Sequence, residues 1–335
     1  MATIEDVAKL AGLSRSTVSR VINNHPYVSE EKKKLVKEAM EQLQYVPNSS
    51  ARSLRNQRTD IIAVIIPRVM NPFFAQFVES LEIAASQHHY QLIVCQTLYS
   101  ANKELNYLNL LKTRQVDGVI MTTLLNDWKA VEPFLEYGPI MLCNEFDEQA
   151  NVPMIHMDQK YGGYMATKHL IDLGHEKIVY CCGNVNSNVS KAREEGFRKA
   201  MEEAGLHLPD HYIFRNVFTY DDGKNVLRKM AAMTDKPTAV FTGSDEVAAG
   251  VISEAKRRGI RIPNDLAVVG YDNQAVTELV DPMITTVNQP VKEMGQLAMK
   301  VMIEKINDKN YRAKEVHLLP LTLIVRESTN TELIR

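Results

Sequence analysis

Thr3-Ile-Glu-Asp-Val-Ala-Lys-Leu-Ala-Gly-Leu-Ser-Arg-Ser-Thr-Val-Ser-Arg-Val-Ile-Asn-Asn24 is the stretch on which the reading of this chain turns. Thr3 with Asp6 three residues on makes a capping-box start, and Ile4, Val7, Ala8 and Ala11 then share one helical face. Gly12-Leu13 is a turn. Ser14 caps a second helix through Asn23, whose Thr17, Val18, Val21 and Ile22 point inward while its first turn carries small polar and basic residues. Two short helices about a glycine turn are the layout of a helix-turn-helix, in which the second helix enters the major groove and its N-terminal residues meet base edges.

Outward from this stretch, Asn24-His25-Pro26-Tyr27 reads as a loop and Ser29 as the cap of a third helix. Glu30 and Glu31 sit in its positive first turn, Leu35, Val36, Ala39, Met40 and Leu43 form an apolar stripe, and Pro47 closes it. Asn48–Asp60 is a basic linker with helical potential, too short to hold a helix alone in water. Residues 1–58 carry ten Lys or Arg against six Asp or Glu, a net of +4. The whole chain of 335 residues has a formal net charge of −2, which leaves −6 on the remainder. A basic head on an acidic body fits phosphate binding at one end only.

Beyond the linker, short apolar runs alternate with helical patterns. The runs are Ile61–Ile66, Leu92–Cys95, Gly118–Met121, Ile140–Cys143, Ile155–Met157, Ile178–Cys182, Ala239–Thr242, Leu266–Gly270 and Ile284–Val287. Helices are expected over Phe73–His88, Lys103–Thr113, Tyr161–Leu173, Ala192–Ala204, Asp221–Met233, Asp245–Arg258 and Val291–Lys305. Such alternation means parallel sheets covered on both faces, two of them side by side, with a ligand at the carboxyl ends of the strands. The four cysteines, Cys95, Cys143, Cys181 and Cys182, lie inside apolar runs with no CxxC spacing, so they read as reduced core residues. No signal-peptide run opens the chain and no segment is long enough to cross a membrane, which points to a cytoplasmic, nucleoid-associated protein.

At this point the chain resembles the lactose-repressor/galactose-repressor (LacI/GalR) family along essentially its whole length. The carrying motifs are Thr3-Ile-Glu-Asp-Val-Ala, Ser16-Thr-Val-Ser-Arg-Val-Ile-Asn23, Tyr45-Val-Pro-Asn48 and Ala51-Arg-Ser-Leu54. Further on come Asn71-Pro-Phe-Phe74, Val116-Asp-Gly-Val119, Leu173-Gly-His175, Arg193-Glu-Glu-Gly-Phe197, Val269-Gly-Tyr-Asp-Asn273 and Val325-Arg-Glu-Ser328. The head is most similar to the purine-repressor branch. The resemblance implies a transcriptional regulator, a homodimer on a near-palindromic operator in double-stranded DNA, with no cofactor but a small-molecule effector. It leaves open a protein corepressor. It also implies an all-α head over 1–47, a hinge helix over 48–58, and an α/β core like the periplasmic sugar-binding proteins. One core subdomain would hold 59–158 and 290–319, the other 159–289 and 320–330, with a tail at 331–335.

Carried over by motif, Arg15, Ser16 and Arg20 would read the major groove, where an arginine fork suits guanine O6 and N7. Ser14, Thr17, Ser19 and Asn23 would meet phosphates, and Tyr27 the backbone or a base. Ala51, Arg52, Leu54 and Arg55 match the hinge, with Leu54 as a wedge between base pairs. The competing reading of these residues is a solvated helix face and a flexible basic linker. In the core, Phe73, Phe74 and Phe218 would stack on the effector, Arg193 and Asp272 would grip its hydroxyls, and Asn144, Glu145, Ser244 and Asp245 would line the cleft. For the aromatics the rival is core packing.

Glu145 stands where the purine branch has an aromatic residue, Ser187 where it has a second arginine, and Val189 where it has a hydroxyl or small polar residue. An acidic Asn144-Glu145 corner favours a neutral or amine-bearing polyol or a sugar over an anionic ligand. A nucleoside or purine remains the alternative. An enzyme is the main rival class, but no GxxxxGK, HExxH or GxSxG motif is present, and His88, His89 and His169 read as helix-surface residues. A solute-binding protein is the second rival; it would need a signal peptide and no head.

Overall fold

Helix α1 (Ile4–Leu10) starts on a reciprocal cap: the Thr3 hydroxyl accepts from the Asp6 amide, and the Asp6 carboxylate accepts from the Thr3 amide at 2.8 Å. In the computed structural model, residues 2–22, 25–46, 58–308 and 314–330 are described. Gly12, with φ +64°, makes the left-handed turn into α2 (Arg15–Ile22). Ser14 caps that helix by accepting from the Thr17 amide. In α3 (Glu30–Gln42), Ser29 stands at the cap in an extended conformation, but its side chain makes no cap hydrogen bond. The helix ends at Leu43, and Gln44 (φ 49°) already turns the chain left-handed, so the stop precedes Pro47. Val7, Ala8, Val18, Val36 and Ala39 form the buried centre of this head. Fully burying a valine contributes about 1.5–3 kcal/mol, so Val7, Val18 and Val36 dominate a core this small.

The chain divides into two units, Met1–Thr59 and Asp60–Arg335. The larger unit holds two six-stranded sheets. The first is built from β1 (Ile61–Ile66), β2 (Gln91–Gln96), β3 (Gly118–Met121), β4 (Ile140–Cys143), β5 (Pro153–Met157) and β11 (Glu315–Leu319), in the order β11-β5-β4-β3-β1-β2. The second is built from β6 (Ile178–Cys181), β7 (Ile213–Phe214), β8 (Ala239–Thr242), β9 (Ala267–Asp272), β10 (Thr285–Asn288) and β12 (Thr322–Ile324), in the order β12-β10-β9-β8-β6-β7. All pairings are parallel except β10 with β12. The chain passes from one sheet to the other three times, after Met157, after Asn288 and after Leu319.

Strand alternation explains the layers. Ile62, Val64 and Ile66 of β1 face a cluster with α4 (Pro72–Gln87) and α12 (Val291–Asn307). Ala63 and Ile65 face the opposite cluster, with α5 (Ala101–Lys112) and the short α6 (Trp128–Val131). The second sheet is clad likewise. On one side lie α7 (Gln159–Asp172) and α8 (Asn188–Glu203), on the other α9 (Tyr220–Ala231) and α10 (Asp245–Arg257). A short helix, α11 (Val276–Leu279), follows β9. All four cysteines are free and buried. His169, expected on a helix surface, instead shares a 2.9 Å hydrogen bond with the Thr329 hydroxyl. Among the described residues no helix is long and apolar enough to cross a membrane.

Candidate functional site

In the head, the residues singled out for DNA lie on the outward side of α2 and the loop after it. Ser14, Arg15, Ser16 and Arg20 are exposed, Thr17 and Ser19 half-buried, and Tyr27 is 90% exposed. The Ser14 hydroxyl lies 2.8 Å from that of Ser16 and 2.9 Å from that of Thr17, a hydroxyl cluster at the helix N-terminus. Arg15 leans back on Glu5 of α1 at 3.1 Å, and both partners stay more than two-thirds exposed. An exposed pair of this kind is weak and screened, so Arg15 can leave Glu5 for another acceptor at little cost. Asn23, Ala51, Arg52, Leu54 and Arg55 lie outside the described residues.

In the core, the carboxyl ends of both sets of strands open on one cavity of about 90 Å³. Phe73, Phe74, Asn144, Glu145, Arg193, Phe218, Ser244 and Asp272 all line it. Phe73 and Phe74 open α4 after an Asn71 cap, meet edge to face at 5.1 Å, and also belong to the buried cluster beneath that helix. For these two, core packing and cavity wall are the same position. Phe218 reaches the cleft from the second sheet. There it meets Tyr99, which comes from the first sheet, at a centroid distance of 5.9 Å. Leu98 and Tyr99 are both left-handed (φ 54° and 58°), and that kink follows β2 directly.

Arg193 is buried and triply held. Its Nε donates to Gln159 Oε1 at 2.8 Å, one terminal nitrogen donates to the Gly243 carbonyl at 3.1 Å, and the guanidinium lies 3.6 Å over the Tyr271 ring. Close packing of α7 on α8 sets this height: a Cβ on Gly163 would sit 2.2 Å from the Arg193 carbonyl oxygen, and one on Gly196 would sit 1.9 Å from that of Lys160. Asp272 ends β9 in a left-handed conformation (φ 101°), a strain of about 1–3 kcal/mol of the kind kept at working sites. Its two carboxylate oxygens accept from Gln289 and Gln274. Burial pushes its carboxyl up to about 6, against the opposing pull of Arg193.

Gln159 joins the parts. It donates to Asn144 and Gln289 and accepts from Arg193 and the Tyr271 hydroxyl, so one amide ties the end of β4 to the end of β10. Neither Gln159 nor Gln289 nor Tyr99 is marked by the sequence, because a neutral amide or a lone tyrosine carries no motif. Ser244 lines the cleft while capping α10 through the Val247 amide. Asp245, expected beside it, is elsewhere: it is fully buried and accepts from the Gln274 amide and the Thr286 hydroxyl. Its packing against Gly270, where a Cβ would fall 2.1 Å from Asp245 Oδ1, marks it as a strut. Among the described residues no His, Cys, Asp or Glu group is arranged to hold a metal ion.

Comparison with known proteins agrees with this division. The family described as "Bacterial regulatory proteins, lacI family" matches residues 3–48, and "Periplasmic binding protein-like domain" matches residues 167–329. The NTD biosynthesis operon regulator NtdR of Bacillus subtilis (strain 168) is 43% identical over 329 residues, covering 98% of this chain and 100% of its own. Among solved structures, the transcriptional regulator CelR–cellobiose complex is 30% identical with a TM-score of 0.71, covering 98% of this chain and 100% of that one. The Lac repressor dimer bound to operator and the anti-inducer ONPF is 25% identical with a TM-score of 0.86, covering 98% and 99%.

Proposed function

The chain belongs to the LacI family of bacterial regulatory proteins and is a DNA-binding transcription regulator, not an enzyme; from that premise we propose that it is a cytoplasmic repressor controlled by a sugar or sugar derivative. On this reading it works as a homodimer whose two heads occupy the half-sites of a near-palindromic operator. Arg15, Ser16 and Arg20 read bases, Ser14, Thr17, Ser19 and Asn23 hold phosphates, and Tyr27 adds a contact beside them. Residues 48–58 act as the hinge, with Leu54 as wedge and Ala51, Arg52 and Arg55 against the minor groove. The two parts of the core are 59–158 with 290–319 and 159–289 with 320–330.

The observation that carries the effector reading is convergence. Eight side chains from distant stretches of sequence, rooted in both sheets, meet in one cavity. Flat aromatic walls and a few directional polar groups are what a pyranose ring asks of a protein. Solved relatives support the same assignment, one holding cellobiose and one seated on operator as a dimer. Ligand between the sheets would favour one angle between them, and operator affinity would shift by the factor with which DNA shifts ligand affinity.

The test begins with selection of an operator from a random duplex pool, followed by anisotropy titrations on the full-length protein with and without sugars. A near-palindromic consensus bound at least about 10³-fold tighter than bulk DNA is expected, with affinity falling as salt rises. No consensus, or one indifferent to every sugar and nucleoside offered, would sink the proposal.

A further inference from the structure

The carboxyl and guanidinium groups that line the cleft are those of Glu145, Asp272 and Arg193, two acids and one base. Arg193 and Asp272 are fully engaged, the first by Gln159, Gly243 and the Tyr271 ring, the second by Gln289 and Gln274. Glu145 is different. It is 2% exposed, forms no ion pair with any described residue, and its Oε2 is buried with no hydrogen-bond partner. Asn188 at the start of α8 and the Leu124 amide pull the carboxyl back toward its charged form without overcoming burial. A buried carboxylate short of a partner costs more than any neutral group left in the same state. The Tyr180 and Thr123 hydroxyls, also on the cleft wall, are likewise buried and unpartnered.

These orphans are of two kinds. A hydroxyl can be completed by any sugar oxygen, because it both donates and accepts. A carboxylate that makes no ion pair is completed best by a charged donor, and the charge-assisted bond is about twice as strong as a neutral one. An anionic ligand offers Glu145 no counter-charge: it leaves the carboxyl protonated or meets it as a like charge.

We infer that the ligand of this cleft is an amine-bearing sugar, and that Glu145 selects it by pairing with the ligand ammonium while neutral groups such as the Tyr180 hydroxyl take its oxygens. The inference rests on the cleft being the effector site. Burial supports it, holding the Glu145 carboxyl up at about 8 in the absence of a partner, with Glu104 of α5 adding to the rise and Lys191 of α8 opposing it. An arriving ammonium supplies a counter-charge in direct contact, which Lys191 does not. Asn144, left-handed at φ 65°, is the corner residue that turns the chain from β4 to Glu145.

The experiment is calorimetry on the full-length protein with a panel of monoamino hexoses, the amine at C2, C3 or C6 on gluco, galacto and manno frames. Each is compared with its hydroxyl parent and the parent's 6-phosphate. At least one amine is expected to bind 10-fold or more tighter than its parent, and the phosphates not to bind. Glu145→Gln should bring amine and parent within about threefold of each other. The comparison of amine with parent in the unaltered protein stands even if the variant folds poorly. A neutral sugar or phosphate that binds as tightly as its amine overturns the inference and leaves the sugar-responsive reading intact. Discrimination that persists in Glu145→Gln overturns the role of that residue. Silence from the amines overturns the inference, and silence from neutral sugars as well takes the sugar reading with it.

Discussion

The head and the core handle their working residues in opposite ways. In the head, a handful of apolar side chains are buried and every described residue proposed to meet DNA is exposed or half-buried. In the core, the cleft residues Asn144, Glu145, Arg193 and Asp272 are themselves buried. The difference follows from the partners. A phosphate backbone brings high charge density to a wet surface, and exposed hydroxyls and arginines suffice. A small polar ligand brings little charge and little area, so the protein must supply a dry site in which each polar group counts. Exposed side chains can be replaced without harm to the fold; a buried polar one that is fully hydrogen-bonded cannot.

That contrast can be broken most easily at Arg193. Arg193→Leu should cost about 3–5 kcal/mol of core stability, because it leaves Asp272 buried without its neighbouring cation and strips Gln159 of a donor. The chain's single tryptophan, Trp128, is buried in the core, so denaturant titration followed by its fluorescence reads this loss directly. A loss below about 1 kcal/mol would mean that Arg193 is not a structural member of the cleft.

At the opposite pole, Arg20→Ala should weaken operator binding by about 1–3 kcal/mol and relax preference at one base position. The Trp128 transition should not move. Equal weakening on every sequence would make Arg20 a phosphate contact instead.

Glu145→Gln sharpens the comparison through pH. Burial raises the Glu145 carboxyl from an ordinary 4.5 to about 8, so between those values the ligand-free folded chain holds a proton that the unfolded chain has released. Stability therefore falls as pH rises through that window. Glutamine resembles the protonated form and escapes the penalty. The variant should come nearest the parent near pH 5 and gain on it by about 3 kcal/mol on going to pH 8, at about 1.4 kcal/mol per unit of pH. A constant difference across that range would show that Glu145 is not titrating there.

The smallest effect is expected at Glu5→Gln. Freeing Arg15 from its 3.1 Å pair should raise operator affinity by less than about threefold and fade at high salt. A tenfold gain would mean that Glu5 restrains the reading helix in a way the exposed geometry does not suggest.

Legibility in the sequence follows the same divide. The head was readable because caps, turn and apolar stripe are local: Thr3, Asp6, Gly12 and Ser14 each announce what they do. The doubly wound sheets were readable from their apolar runs. β7 spans only two residues, and β11 and β12 expose much of their length, so none offered such a run. The first turn of α8, Asn188-Val-Ser-Lys191, is polar, and the helix begins four residues before its apolar pattern does. In the cleft, charged and aromatic residues stood out, whereas Gln159 and Gln289 did not. Their importance lies in being amides that donate and accept at once, which only the assembled network reveals. Asp245 shows the opposite error, a charge at a strand end that props the fold and stays off the cavity.

The central claim is that the buried cleft and the exposed reading helix belong to one thermodynamic system. The most direct test is a reciprocal titration on the full-length protein with the tightest-binding sugar of the panel. Operator affinity is measured by anisotropy with and without saturating sugar, and sugar affinity by calorimetry with and without saturating operator. The account predicts that both change, by the same factor of about 5–150. A sugar that occupies the cleft yet leaves operator affinity unchanged would contradict it.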